Sequence, residues 1–160
     1  MLHINIICIG KLKEQYLKDA LNEYSKRLSK YCSLKIIELP DEKIPENLNS
    51  NIIDRIKETE SNNILSHIKS DSYNISLDLH GKQFSSEEFS SKIEDIALNK
   101  SSNINFIIGG TLGLSDKLLK QSSELISFSK MTFPHQLIRI FLLEQLFRAF
   151  KILSNEKYHH

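Results

Sequence analysis

Three short stretches of this 160-residue chain hold the residue types that could do chemistry. They are LDLH at 77–80, IIGGTLG at 107–113 and FSKMTFPH at 128–135. In the second, paired glycines would let backbone approach a ligand closely or take a positive φ. The spacing is not GxGxxG, and no Lys-Ser/Thr follows as in a phosphate-binding loop. A structural turn and a ligand loop both fit it. The third stretch sets aromatic, thioether and hydroxyl side chains just before a helix. That mix suits an adenine ring and a methionyl chain, and it equally suits core packing.

Charge adds a fourth signal. Only four of the 21 basic residues are Arg: Arg27, Arg55, Arg139 and Arg148. In a Lys-rich chain, each Arg raises the question of what its planar fork holds. On a helical wheel through 135–153, Glu144, Arg148, Lys151 and Asn155 form a polar stripe. Arg139 falls instead among Leu142, Leu143, Leu146 and Phe150. A guanidinium there needs an acid, a phosphate or a carbonyl. It is either a buried salt bridge, within the chain or across a dimer, or a substrate-facing group. His135 is a capping or packing residue, or a base. The tail Tyr158-His159-His160, beside Lys157, is a frayed end, a tag remnant, or an aromatic and basic contact for nucleic acid. No Ser/His/Asp triad, carboxylate pair or metal-ligand pattern stands out.

The elements that must position these groups follow from periodicity. Length predicts one domain over 1–160. The 26% charged and 40% hydrophobic fractions are those of a soluble globular protein. The net charge of +1 does not by itself mark a nucleic-acid binder. No run approaches the ~18 apolar residues of a membrane span. Residues 2–9 contain His3 and Asn5 and have no basic residues before them, so a first strand fits better than a secretion signal. Cys8 and Cys32 form no CxxC or His/Cys pattern. They read as core thiols of a reducing compartment, which predicts a cytoplasmic protein.

Strands are predicted at 4–9, 34–39, 73–79, 104–108 and 125–128, and helices at 13–28, 52–68, 85–99, from 115, and at 135–153. Ser85 and Glu88 have capping-box spacing at the start of the third helix. The alternation predicts an α/β fold with a mainly parallel sheet and helices on both faces. The three chemical stretches then fall at carboxyl ends of strands, where such sheets bind ligands. The last helix is apolar over more than half its circumference, which predicts a partner surface that includes Leu142 and Leu146.

Taken together, GKLKEQY, IIELPDEK, LDLHGK, FIIGGTLGL, SKMTFPHQLIRI and the final Tyr-His resemble the ribosomal RNA large subunit methyltransferase H family, over essentially the whole chain. These are small SPOUT-class methyltransferases. The resemblance implies a SPOUT fold with a C-terminal trefoil knot, which would be an exception to the rule against threaded chains. It implies methyl transfer from S-adenosylmethionine to N3 of a pseudouridine in 23S ribosomal RNA, by a homodimer acting on the ribosome, with no metal. The family's cofactor contacts map onto Leu77, Gly109, Phe128, Ser129, Lys130, Met131, Thr132 and Phe133. Arg139, His135, Tyr158 and His159 are the candidates for catalysis, with Arg139 expected to face an active site completed across the dimer. Two departures matter. Thr111-Leu112 stands where relatives carry more polar residues, and His160 stands where the family usually ends in Lys or Arg. The alternatives are a knotted RNA-binding protein whose catalysis is impaired, and a nucleotide-binding α/β domain that does not act on RNA.

Overall fold

A computed structural model describes residues 1–158. The elements run β1 (His3–Ile9), α1 (Gln15–Leu28), β2 (Ser33–Leu39), α2 (Ser50–Leu65) and β3 (Tyr73–Lys82). They continue with α3 (Ser86–Asn99), β4 (Asn103–Ile108), α4 (Asp116–Gln121), β5 (Glu124–Ile126) and α5 (His135–Leu153). The five strands form one sheet in the order β2-β1-β4-β3-β5. Every pairing is parallel.

Apolar side chains fill both faces of the sheet, as a parallel sheet between helix layers requires. Ile4, Ile6 and Cys8 of β1 share one face and core with Ile104, Phe106 and Ile108 of β4, covered by residues of α1, α3 and α5. Ile7, Ile9 and Ile107 point the other way, against Ile64 of α2 and Leu118 of α4. A polar row interrupts this second face. Asn5, Asn105 and Asn74 lie opposite one another on β1, β4 and β3. Their amides are joined at 2.9 Å on either side of Asn105. A one-residue slip would leave buried amides unpaired, so this row fixes the register of the central strands.

Element ends differ from the expected ones for identifiable reasons. Helix α1 begins at Gln15, not at 13. The amide of Leu12 donates to Glu38 Oε2 and that of Lys13 to Gln136 Oε1, so tertiary bonds hold the chain outside the helix. Helix α2 begins earlier than expected, because Asn49 caps it by accepting from the Ile52 amide. Ser85 caps α3 as the capping-box spacing predicts, accepting from the Glu88 amide at 3.1 Å.

Strand β3 runs past the expected turn at Gly81 because it clasps β5. Ile126 pairs with both Leu77 and Lys82 of β3, and the Ser127 amide donates to the Lys82 carbonyl. A Cβ on Gly81 would lie 2.6 Å from backbone atoms of Ile126. The clasp is compatible with the knot expected from the resemblance.

The expected partner face of α5 is corrected here. Leu142 and Leu146 are fully buried in the chain's own core. Helix α5 packs against both α1 and α3, so most of its apolar circumference is already covered. A charge at Leu142 or Leu146 would therefore unfold the protomer and would not report on a dimer.

The clasp gives a first prediction. Gly81→Ala should cost about 3 kcal/mol or more, because backbone rather than a flexible side chain occupies the space. Urea unfolding of the variant measures this, and an unchanged midpoint would mean that β3 does not close on β5.

Candidate active site

Strands β4, β3 and β5 are adjacent: Gly109 and the segment 127–134 directly follow β4 and β5, and Leu77 stands in mid-β3, one residue past its last pair with β4. Leu77 pairs with Ile126 and is half-buried. Phe128, Ser129 and Phe133 line a cleft of about 290 Å³ together with Phe84, Ser85 and Phe141. The rings of Phe133 and Phe141 meet edge to face at 5.4 Å. Lys130, Met131 and Thr132 are exposed, and Met131 keeps 72% of its surface in solvent. The expected cofactor segment thus divides into a half-buried aromatic part and an exposed rim. Ser129 shapes the bend, since its hydroxyl accepts from the Met131 amide and its carbonyl from the Ser127 hydroxyl.

The glycine stretch forms a tight turn. The Gly113 amide donates to the Gly110 carbonyl at 3.0 Å, and Gly113 sits at φ +88°. Thr111 and Leu112 occupy the tip, Thr111 exposed and Leu112 half-buried. Gly109 and Gly110 are glycine for reasons behind the turn. A Cβ on Gly109 would meet Gly113 and Leu114 at 3.0 Å. A Cβ on Gly110 would meet Glu60 Oε1 at 3.0 Å and Ile9 at 3.1 Å. The structural reading of the motif is therefore present in the fold. Packing the turn closely against the body also leaves its other side as bare backbone.

Arg139 lies at the ends of β1 and β2. It is fully buried. One Nη donates to Glu38 Oε2 at 2.8 Å. The other donates to the carbonyls of Ile9 and Gly10, at 3.1 and 2.6 Å. Its Nε has no partner among the described residues. Of the two readings of this Arg, the structure contains the buried salt bridge, made within one chain.

His135 sits one helical turn before Arg139 and faces Gly10, where a Cβ would lie 3.8 Å from its Nε2. Burial, then the Arg139 and Lys13 charges, lower its pKa from the usual 6.5, against the opposing pull of Asp41. These effects favour the neutral ring.

Tyr158 is placed elsewhere. Its hydroxyl donates to Glu144 Oε2 at 2.8 Å, and its ring lies under Arg148 and against Phe147. His159 and His160 lie outside the described residues. Burial pushes the thiols of Cys8 and Cys32 up to about 11, which leaves them as packing groups. Among the described residues, no three His, Cys, Asp or Glu side chains are placed to share a metal, and no helix is long and apolar enough to cross a membrane.

Sequence reasoning missed Glu38 and Glu60. Glu60 is 5% exposed. It lies on the line Ile56, Glu60, Ile64 of α2, an acid in an apolar stripe at four-residue spacing. The same signal that singled out Arg139 would have found it.

The chain as a whole matches a known class. The family model described as Predicted SPOUT methyltransferase matches residues 2–159. A Clostridium acetobutylicum protein named ribosomal RNA large subunit methyltransferase H is 57% identical over 158 residues, 99% of each chain. A Clostridium perfringens protein named ribosomal RNA large subunit methyltransferase H 1 is 54% identical over the same share. The chain belongs to the SPOUT methyltransferases, and within them to the ribosomal RNA large subunit methyltransferase H family. A solved structure of a probable methylase family protein from Haemophilus influenzae Rd KW20 shares the fold. Its TM-score is 0.54 at 14% identity, covering 98% of this chain and 70% of that one.

Two predictions follow from the buried cation. Arg139→Ala strands Glu38 and two carbonyls. Breaking a buried pair typically costs roughly 3–5 kcal/mol. Glu38 keeps 34% of its side-chain surface in water, so about 2–4 kcal/mol is expected after discounting for solvent. Chemical unfolding gives the value, and Arg139→Lys should recover only part of the loss. The second concerns pH. The unfolded chain protonates His135 near 6.5 while the folded chain resists. The stability that His135 contributes is thus present above about pH 6.5 and lost as pH falls below it. His135→Gln should flatten this part of the stability profile, and two parallel profiles would refute the assignment.

Proposed function

We propose that this protein transfers the methyl group of S-adenosylmethionine to N3 of a pseudouridine in large-subunit ribosomal RNA, as a cytoplasmic homodimer acting on the ribosome. The observation that carries the reading is the adjacency of three strands, with Gly109 after β4, Phe128 after β5 and Leu77 where β3 parts from β4, in a chain of this family. Ligands in open α/β sheets bind at such ends. The two relatives described above bear names that specify large-subunit ribosomal RNA.

The residues present fit the cofactor. Phe128 and Phe133 offer apolar faces and Ser129 a hydroxyl in the cleft, and Leu77 and Gly109, on the neighbouring strands β3 and β4, would add backbone polar groups. When bound, S-adenosylmethionine supplies an electrophilic sulfonium methyl. The protein's part is to hold a ring nitrogen close and in line. A uracil-type N3–H is weakly acidic, so loss of its proton needs an acceptor or a nearby positive charge. Neutral His135 is the acceptor in this reading. Arg139 acts on the site through its charge and through Gly10, whose carbonyl it holds. Tyr158 and His159 are assigned to a partner's site. Lys130, Met131 and Thr132 form the rim over which RNA passes.

The test is methylation of purified ribosomes and free subunits from cells lacking the activity, read by the mass of the modified nucleotide. One methyl on the N3 of a pseudouridine is expected. Ribosome binding and cofactor binding without transfer would identify the impaired RNA-binding alternative, for which Leu112 at the turn tip is the feature to revert. Absence of cofactor binding in calorimetry would refute the methyltransferase reading.

A further inference from the structure

The carboxyl of Glu60 is buried behind the glycine turn, and the reaction outlined above makes no use of it. Its Oε2 accepts the Glu42 amide at 2.9 Å. Its Oε1 has no partner among the described residues and lies 3.0 Å from where a Cβ on Gly110 would stand. Ile9 closes the same space from β1. The next residue, Ser61, is fully buried and accepts the Ser115 amide at 2.9 Å. Two successive α2 residues therefore hold the turn. Glu60 backs the start of the turn and accepts from the loop at 40–49, and Ser61 pins the residue that caps α4.

We propose that Glu60 is a positioning residue whose carboxyl sets the path of the turn from Gly109 to Gly113 and responds to positive charge bound at the strand ends. The inference rests on the reading that S-adenosylmethionine binds there. The groups facing this carboxyl are the Asp41 and Glu42 charges and the Glu42 amide from the loop, apolar Ile9 from β1, and backbone from the β4 turn. Burial first, and then Asp41 and Glu42, favour its protonated form, with only the Glu42 amide opposing. No cation on the protein is among these neighbours. A cation that arrives with a ligand shifts the balance toward the ionised form. S-adenosylmethionine carries a sulfonium charge, and its demethylated product S-adenosylhomocysteine does not. Both carry the same amino acid group. Glu60 would thus favour the charged cofactor over the neutral thioether product, and the proton it releases would report which one is bound.

The experiment is calorimetry of the full-length protein with each of these two ligands, in buffers of different ionisation enthalpy between about pH 5 and 7. The wild type should release more protons with S-adenosylmethionine than with S-adenosylhomocysteine. Glu60→Gln keeps the shape and an acceptor for the Glu42 amide. It should abolish that difference and lower the preference for S-adenosylmethionine severalfold, at an unchanged melting temperature. Glu60→Ala should in addition speed amide hydrogen exchange at 109–115 in the unliganded protein by about tenfold or more. Equal proton release and an equal ligand preference in Glu60→Gln would overturn the charge response, even if Glu60→Ala failed to fold. If neither ligand binds the wild type, the proposed function falls. The exchange comparison of unliganded Glu60→Gln, Glu60→Ala and wild type then still decides whether Glu60 sets the turn, because unchanged exchange in a folded Glu60→Ala would overturn it.

Discussion

The buried guanidinium of Arg139 is the interaction on which the arrangement of the strand ends depends. It joins α5, the last helix, to β1 across 130 residues of sequence and to β2 across 101. The carbonyls of Ile9 and Gly10 stand where β1 leaves the sheet, with Gly10 at φ +88°. There the chain has left the strand ladder and needs another donor. Arg139 supplies it with one Nη and engages Glu38 with the other. Glu38 Oε2 in turn accepts the Leu12 amide, so a single carboxylate oxygen links the exit of β1 to α5. Lys would not serve as well, because one ammonium cannot span three acceptors in a fixed plane.

The other end of the site depends on backbone crowding. Gly81 is where β3 closes on β5, and Gly109 and Gly110 are where the β4 turn closes on Leu114, Ile9 and Glu60. At each point a side chain is absent because a neighbour already fills its place. These contacts fix where β3 and β4 end relative to β5 and to α2. The aromatic cleft forms beside them because Phe128 and Phe133 leave β5 toward α3 and α5, where Phe84 and Phe141 meet them.

Much of this was legible in the sequence. Short apolar runs at 4–9 and 104–108 located the central strands, and the three-to-four spacing in 135–153 matched the observed limits of α5. Arg139 on an apolar stripe announced a buried partner. What the wheel could not give was the partner's identity, because Glu38 lies 101 residues away. Nor could it distinguish a helix apolar because a second chain covers it from one apolar because two of its own neighbours do. The clasp at Gly81 was also hidden. Its cause is the backbone of a strand more than forty residues later, and local turn chemistry looks the same without it.

The placement of the candidate groups separates them along one helix. His135 and Arg139 sit in the first two turns of α5, against Gly10. Tyr158 folds back onto the same helix at Glu144 and Arg148. At 1.5 Å per residue, Arg139 and Arg148 stand roughly 13 Å apart along the helix axis. Tyr158 is held at the far position by a hydrogen bond, a cation over its ring and an edge contact with Phe147. Bringing it to its own chain's His135 would mean giving up all three. If the tail takes part in the proposed reaction, it does so most economically while staying docked, by reaching the strand ends of a second copy. Tyr158 is anchored at a fixed point on α5 by these contacts. Glu156 strengthens that point through Tyr31 and Lys151. The C-terminal docking thus holds Tyr158 on its own helix, roughly 13 Å along α5 from Arg139.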